Sequence, residues 1–167
     1  VSGIARSLRQ TYLATEGNEK FVMKGDNLYK GNTMLSGNYK LVDQLKNEQE
    51  VEVSLFFGDV REVTTLKDES GKREINTKMS SEVYDTLKKG EEYFATNIDV
   101  LGTDYYGYYV PLYQPGTKEV AGSVFCGRTQ NQVTQSLRNT IISMAVVMLT
   151  IFLAAFIIVL FMVKRIV

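Results

Sequence analysis

Histidine and tryptophan are absent from this 167-residue chain, cysteine occurs once and proline twice. A lone Cys126 excludes an intrachain disulfide. Without histidine there is no Cys/His zinc cluster, no Ser-His-Asp triad and no Cys-His pair. No glycine-rich phosphate loop ending in Gly-Lys-Ser/Thr is present. Asp99, Asp104 and the Asp68-Glu69 pair match no calcium-loop spacing and read as solvated turn charges. Neither a catalytic residue nor a metal or cofactor is expected, and binding is the function class that remains.

Charge of one sign is also lacking: 19 basic side chains balance 19 acidic ones. Two of the basic residues, Lys164 and Arg165, lie at the far C-terminal end, so the first 140 residues are mildly acidic. That leaves no basic footprint for a nucleic acid or an anionic membrane surface.

What is present is one long apolar run. Between Ile141 and Val163 only Ser143 and Thr150 are polar. As a helix this run reaches roughly 35 Å, enough to cross a hydrocarbon core of about 30 Å with some tilt. Without it and the last two residues, the overall hydrophobic fraction of 44% falls to roughly 36%. Its C-terminal position and its basic ending, Lys164-Arg165, fit neither a signal peptide nor a glycolipid-anchor signal. Arg128 and Arg138 before the run balance Lys164 and Arg165 after it, so charge leaves the orientation open. Both ends read as cut from a longer chain: Val1 falls within a helical pattern, and the sequence stops two residues after Arg165.

Val1, Ile4, Leu8 and Tyr12 form one helical stripe that Gly17 can end. Residues 17–38, with Gly17, Gly25, Gly31 and Gly37, read as irregular structure anchored by Leu28, Tyr29, Met34 and Leu35. Leu41, Val42 and Leu45 share a helical face over about Lys40–Gln49. Val51, Val53, Leu55 and Phe57 alternate as a strand. Gly58-Asp59 sits at hairpin distance before a second strand, Val60–Leu66. After a polar turn at residues 67–72, Ser80 or Ser81 can cap a helix that ends at Gly90. Strands over Glu92–Val100, Tyr105–Tyr113 and Val120–Gly127 follow, with Pro115-Gly116 as a turn. Gln130–Asn139 reads as a helix leading into the apolar run without a break. Consecutive strands joined by short turns, with helices among them, predict an α+β domain on an antiparallel sheet.

Two stretches stand out as candidate sites. Tyr105-Tyr106-Gly107-Tyr108-Tyr109 places Tyr106 and Tyr108 on one strand face and Tyr105 and Tyr109 on the other. Each pair supplies apolar bodies with phenolic tips, either for strand packing or for a ligand, and a strand glycine can mark close approach. Arg61 could give a carboxylate a bidentate partner, with hydroxyls from Thr64 and Thr65, or it could be a solvated edge charge. Strict alternation separates Arg61 from Thr64 unless a bulge intervenes. Lys78 lies near the N-terminus of the expected central helix, which adds positive potential for an anion. Cys126, in a small-residue strand, reads as a buried hydrophobe.

Val53–Arg61 with Thr64-Thr65 and Gly71-Lys72-Arg73 resembles the centre of a single-Cache sensor domain. Thr77-Lys78, Gly90–Phe94, Tyr105–Leu112 and Val120–Phe125 continue the pattern in the family's order. The resemblance covers roughly residues 51–128, with a looser likeness in the N-terminal helix. It implies a PAS-like fold: a long N-terminal helix, a five-stranded antiparallel sheet and a ligand pocket on the sheet's distal face, followed here by one transmembrane helix. The implied organisation is an extracytoplasmic sensor over 1–139, a membrane helix over 140–163 and the start of a cytoplasmic segment over 164–167. Among such proteins the chain is most similar to methyl-accepting chemotaxis proteins, which implies a cytoplasmic-membrane receptor, a homodimer and a cytoplasmic output. The family implies a small-molecule ligand, often an organic acid. Matched position by position, Arg61, Thr64, Lys78, Tyr106 and Tyr108 would hold it. The chain departs from the pattern at Asn76, where similar sequences often carry glycine. The same sensor also fits a histidine kinase or a cyclic-nucleotide enzyme. A membrane-tethered enzyme or a structural ectodomain is the rival of another class.

Overall fold

In the computed structural model, residues 1–100 and 102–166 are described, and they fall into two compact units, 1–129 and 130–167. The first unit begins with helix α1 (Ser2–Ala14), which buries Ala5, Leu8 and Tyr12 and leaves Val1 and Ile4 half-buried at the stripe's edge. Residues 17–38, read from sequence as irregular, instead form a small antiparallel meander of β1 (Phe21–Lys24), β2 (Asn27–Lys30) and β3 (Thr33–Met34). Its strands are too short to show an alternation, and glycines mark both turns. The buried Lys30 side chain joins the meander to α1: its ammonium donates to the carbonyls of Leu13 and Gly17, acceptors that the end of a helix leaves open.

Helix α2 (Lys40–Gln49) falls where the Leu41, Val42 and Leu45 face predicts it. Next come β4 (Glu52–Phe57) and β5 (Val60–Thr64), paired through a two-residue turn in which Gly58 takes a positive φ of 56°. Helix α3 (Ser81–Lys88) starts at Ser80, whose hydroxyl accepts from the Val83 amide at 3.4 Å. Strands β6 (Tyr93–Val100), β7 (Thr103–Tyr113) and β8 (Val120–Thr129) complete an antiparallel sheet of order β5-β4-β8-β7-β6.

Strand alternation gives this sheet two unlike faces, each with its own core. On one, Val53, Leu55, Val63, Val110, Val124 and Cys126 pack with α1. On the other, Phe56, Tyr109 and Phe125 pack with Met79, Val83 and Leu87, on and just before α3. Burial pushes the Cys126 thiol up to about 12, as expected of a small core residue rather than a reactive one.

The second unit is the single helix α4 (Gln130–Ile166), and over 130–165 it is long and apolar enough to cross a membrane. Within it, Thr140, Ser143 and Thr150 each donate to a backbone carbonyl three or four residues earlier. A helix that satisfies its own polar groups in this way suits a solvent without hydrogen-bonding partners.

Candidate functional site

The α3 face of the sheet does not close completely. Between it, α3 and the segment from Glu74 to Ser80 lies a cavity of about 460 Å³, within the range of small-molecule sites. Its sheet-side lining includes Arg61 from β5, Tyr93, Ala95 and Ile98 from β6, and Tyr109 from β7. Opposite stand Thr77, Lys78, Met79, Glu82 and Val83.

Arg61 reaches this face through a bulge. Leu55 pairs with Val63 and Phe56 with Arg61, so Glu62 is the extra residue of β5. The bulge shifts the alternation by one and places Arg61 and Thr64 on the same face, beside Phe56 and Ser54. Arg61 is only 7% exposed. Its Nη1 donates to Thr77 Oγ1 at 2.8 Å, and its guanidinium lies 5.1 Å from the centre of the Phe56 ring. Its Nε is buried without a hydrogen-bond partner. Arg61 also makes no ion pair among the described residues. Burial lowers its pKa, while Tyr109 and Glu74 act in the opposite direction. An arginine in this setting still carries its proton, so the cavity wall holds an unpaired cation.

The Thr77 hydroxyl that meets Arg61 is set by a local turn. Asn76 has φ of 61°, its amide donates to the Arg61 carbonyl, and the Arg61 amide donates to the Thr77 carbonyl. This left-handed position is one that glycine takes freely and asparagine tolerates, so the departure from the family pattern leaves the turn in place.

Lys78 also lines the cavity, but at its rim: the side chain is 68% exposed and pairs with Asp59 at 2.9 Å, which raises its pKa. Tyr109 is 4% exposed, and burial pushes its phenol up to about 12. Its ring centre lies 4.8 Å from that of Phe125 and 6.0 Å from that of Phe56. The Tyr93 hydroxyl donates to Glu82 Oε1 at 3.0 Å, a bond that raises the phenol's pKa.

Three of the five residues expected to hold a ligand stand elsewhere. Thr64 shares the face with Arg61 but is wholly buried away from the cavity, its hydroxyl engaged with Ser54 and the Val53 carbonyl. Tyr106 and Tyr108 belong to the opposite face of β7. Tyr108 packs against the α1-side core, and its hydroxyl donates to Glu92 at 2.5 Å and accepts from Arg6 at 3.1 Å. Tyr109 and Tyr93 take the place expected for the other pair, because α3 rather than α1 covers the open side. Gly107 serves packing: a Cβ there would come within 2.5 Å of both Ile98 and Phe125, whose ring occupies the vacant position. Among the described residues, no three Cys, Asp or Glu side chains gather as a metal site.

A five-stranded antiparallel sheet with a long N-terminal helix on one face and a cavity under a short helix on the other defines a PAS-like sensor class. The model of the family named single cache domain 3 matches residues 32–140, and the chain belongs to that family. It therefore carries a Cache sensor domain, followed by one helix able to span a membrane. Among solved structures, the sensor domain of E. coli DcuS is similar at 20% identity and a TM-score of 0.48, over 62% of this chain and 74% of that one. No curated protein matches.

Proposed function

We propose that this chain is the sensor and second membrane span of a chemoreceptor, and that it binds a small carboxylate outside the cytoplasmic membrane. The observation that carries this reading is Arg61, a buried cation without an ion-pair partner among the described residues, in the wall of a cavity of about 460 Å³. A ligand carboxylate supplies the counter-charge in the planar geometry that a guanidinium favours. Tyr109 and Tyr93 form the amphipathic wall beside it, and Lys78 sits at the entrance. The site binds without turnover, and the work done is conformational: a ligand that prefers one arrangement of α3 and the sheet shifts the population toward it. Strand β8 ends at Thr129 and α4 starts at Gln130, so the sheet is covalently continuous with the span. A homodimer carries the signal to a cytoplasmic output.

The test is calorimetry on the chain in detergent micelles against a panel of small carboxylates, followed by the best binder on Arg61→Ala and Arg61→Lys. A charge-assisted hydrogen bond contributes about 1.5–3 kcal/mol, so Arg61→Ala weakens binding at least about tenfold. Arg61→Lys keeps the charge, loses the fork and falls between. Unchanged affinity in Arg61→Ala, with its circular dichroism intact, overturns the assignment.

A further inference from the structure

Helix α2 belongs to the α1 side of the sheet, where Val42 is wholly buried in the core. The segment from Glu74 to Ser80 belongs to the other side, where it walls the cavity and adds Met79 to the second core. β5 is an edge strand of the sheet, and Arg73, the residue before that segment, crosses the edge to α2. Its Nη1 and Nη2 donate to the two carboxylate oxygens of Asp43 at 2.9 and 2.7 Å, and Nη1 also donates to the Thr64 carbonyl at 2.6 Å. The guanidinium lies 3.9 Å from the centre of the Tyr39 ring, just before α2. Only 17% of the Arg73 side chain is exposed, and a forked, stacked arginine fixes a geometry that a lone surface pair does not. The far end of α2 is held as well. The Gln49 carbonyl, one of those that a helix terminus leaves open, accepts from Arg128 Nη2 at 2.6 Å. Arg128 stands near the end of β8, the strand that continues into α4. Between the two arginines, Lys46 pairs with Glu52, at the start of β4, at 2.6 Å.

About 9 Å of helix separates Asp43 from Gln49. One arginine grips it from the cavity wall and another from the strand that leads to the span. We propose that α2 is a lever between the two: Arg73 passes a displacement of residues 74–80 to the start of α2, and the last turn of α2 passes it to Arg128 and β8. A packed helix shifts as a body rather than yielding residue by residue, so a push at one end is felt at the other. Coupling of this kind is reciprocal, and it holds whichever ligand fills the cavity.

Hydrogen exchange of the full chain in micelles, read by mass spectrometry with no ligand added, tests the lever. The Asn76 amide donates to the Arg61 carbonyl and the Met79 amide to the Asp59 carbonyl, so the cavity wall has protected amides to report. Arg128→Gln speeds exchange over residues 74–80 at least about threefold, and Arg73→Gln does the same over residues 126–129, because each loosens the helix that holds the other. Asp43→Asn leaves both arginines in place, weakens only the grip on α2 and speeds residues 126–129 to a similar degree. Arg73→Lys and Arg128→Lys keep the charge, lose part of each grip and give smaller accelerations in the same segments, so the test stands if a Gln variant does not fold. Gln114→Ala is the control: it removes the buried amide that bonds both backbone groups of Phe21, destabilises the domain away from α2 and leaves both segments within about twofold. Acceleration confined to the residues that each altered side chain touches, or matched by Gln114→Ala, overturns the proposal.

Discussion

Arg61, on β5, and Glu92, just before β6, show how differently two charged side chains are treated. Arg61 is enclosed with its Nε unsatisfied, a state that persists because the fold holds it on Phe56 and Thr77. Glu92 has every need met: Arg6 donates to it from α1 through Nε and Nη2, and the Tyr108 hydroxyl adds a third bond. The Arg6 hydrogen bond, helped by Tyr108, holds the Glu92 carboxyl at about 2, below its ordinary 4.5. A carboxyl whose pKa is depressed on folding adds stability above its unfolded value and loses it as pH falls toward the folded one. Glu92→Gln is therefore less stable than the parent at pH 7, and the gap closes between about 4.5 and about 2, as read by thermal melts across that range. A gap that stays constant with pH would show that the Arg6 contact acts through packing alone. At this scale the sequence was half legible. Tyr105–Tyr109 announced two tyrosine faces, but alternation is symmetric, and only the helix laid over each face tells them apart.

Among the elements, the proposed function rests most on β5 and α4. A one-residue bulge at Glu62 returns Arg61 to the face of Thr64, and no residue type in Val60–Leu66 announces it, because the extra residue is specified by pairing with β4. The meander β1–β3 is not legible in the sequence for a related reason: strands of two to four residues owe their existence to neighbours rather than to propensity. Strands and helices with a full period, such as β4, α2 and α3, were legible nearly to their ends. Helix α4 runs without interruption from Gln130 to Ile166. A rigid helix transmits displacement and a flexible one absorbs it. Inserting four glycines within Gln132–Gln135, in a receptor fused beyond Arg165 to a chemoreceptor output, leaves ligand affinity within twofold and abolishes ligand-dependent signalling. Signalling that survives the insertion would exclude α4 as a rigid connector.

At the largest scale, the two units present unlike surfaces. Residues 1–129 bury two cores against the five-stranded sheet, whereas the apolar side chains of 141–163 are exposed along α4. An exposed apolar surface of that length has no stable place in water. The chain expressed in cells accordingly stays with the membrane fraction through alkaline carbonate extraction and is released only by detergent. Release by carbonate would place α4 against protein instead of lipid.

The sequence by itself determined a helix able to span a membrane, the α+β class, the main strands and the prominence of Arg61, since each follows from local period, composition or residue type. The tertiary structure decided which tyrosines meet Arg61 and that Thr64 is sealed away from the cavity. Those are relations between β5, β6, β7 and α3, far apart in the chain, and they exist only once strand register and helix packing have set which face is covered and which stays open.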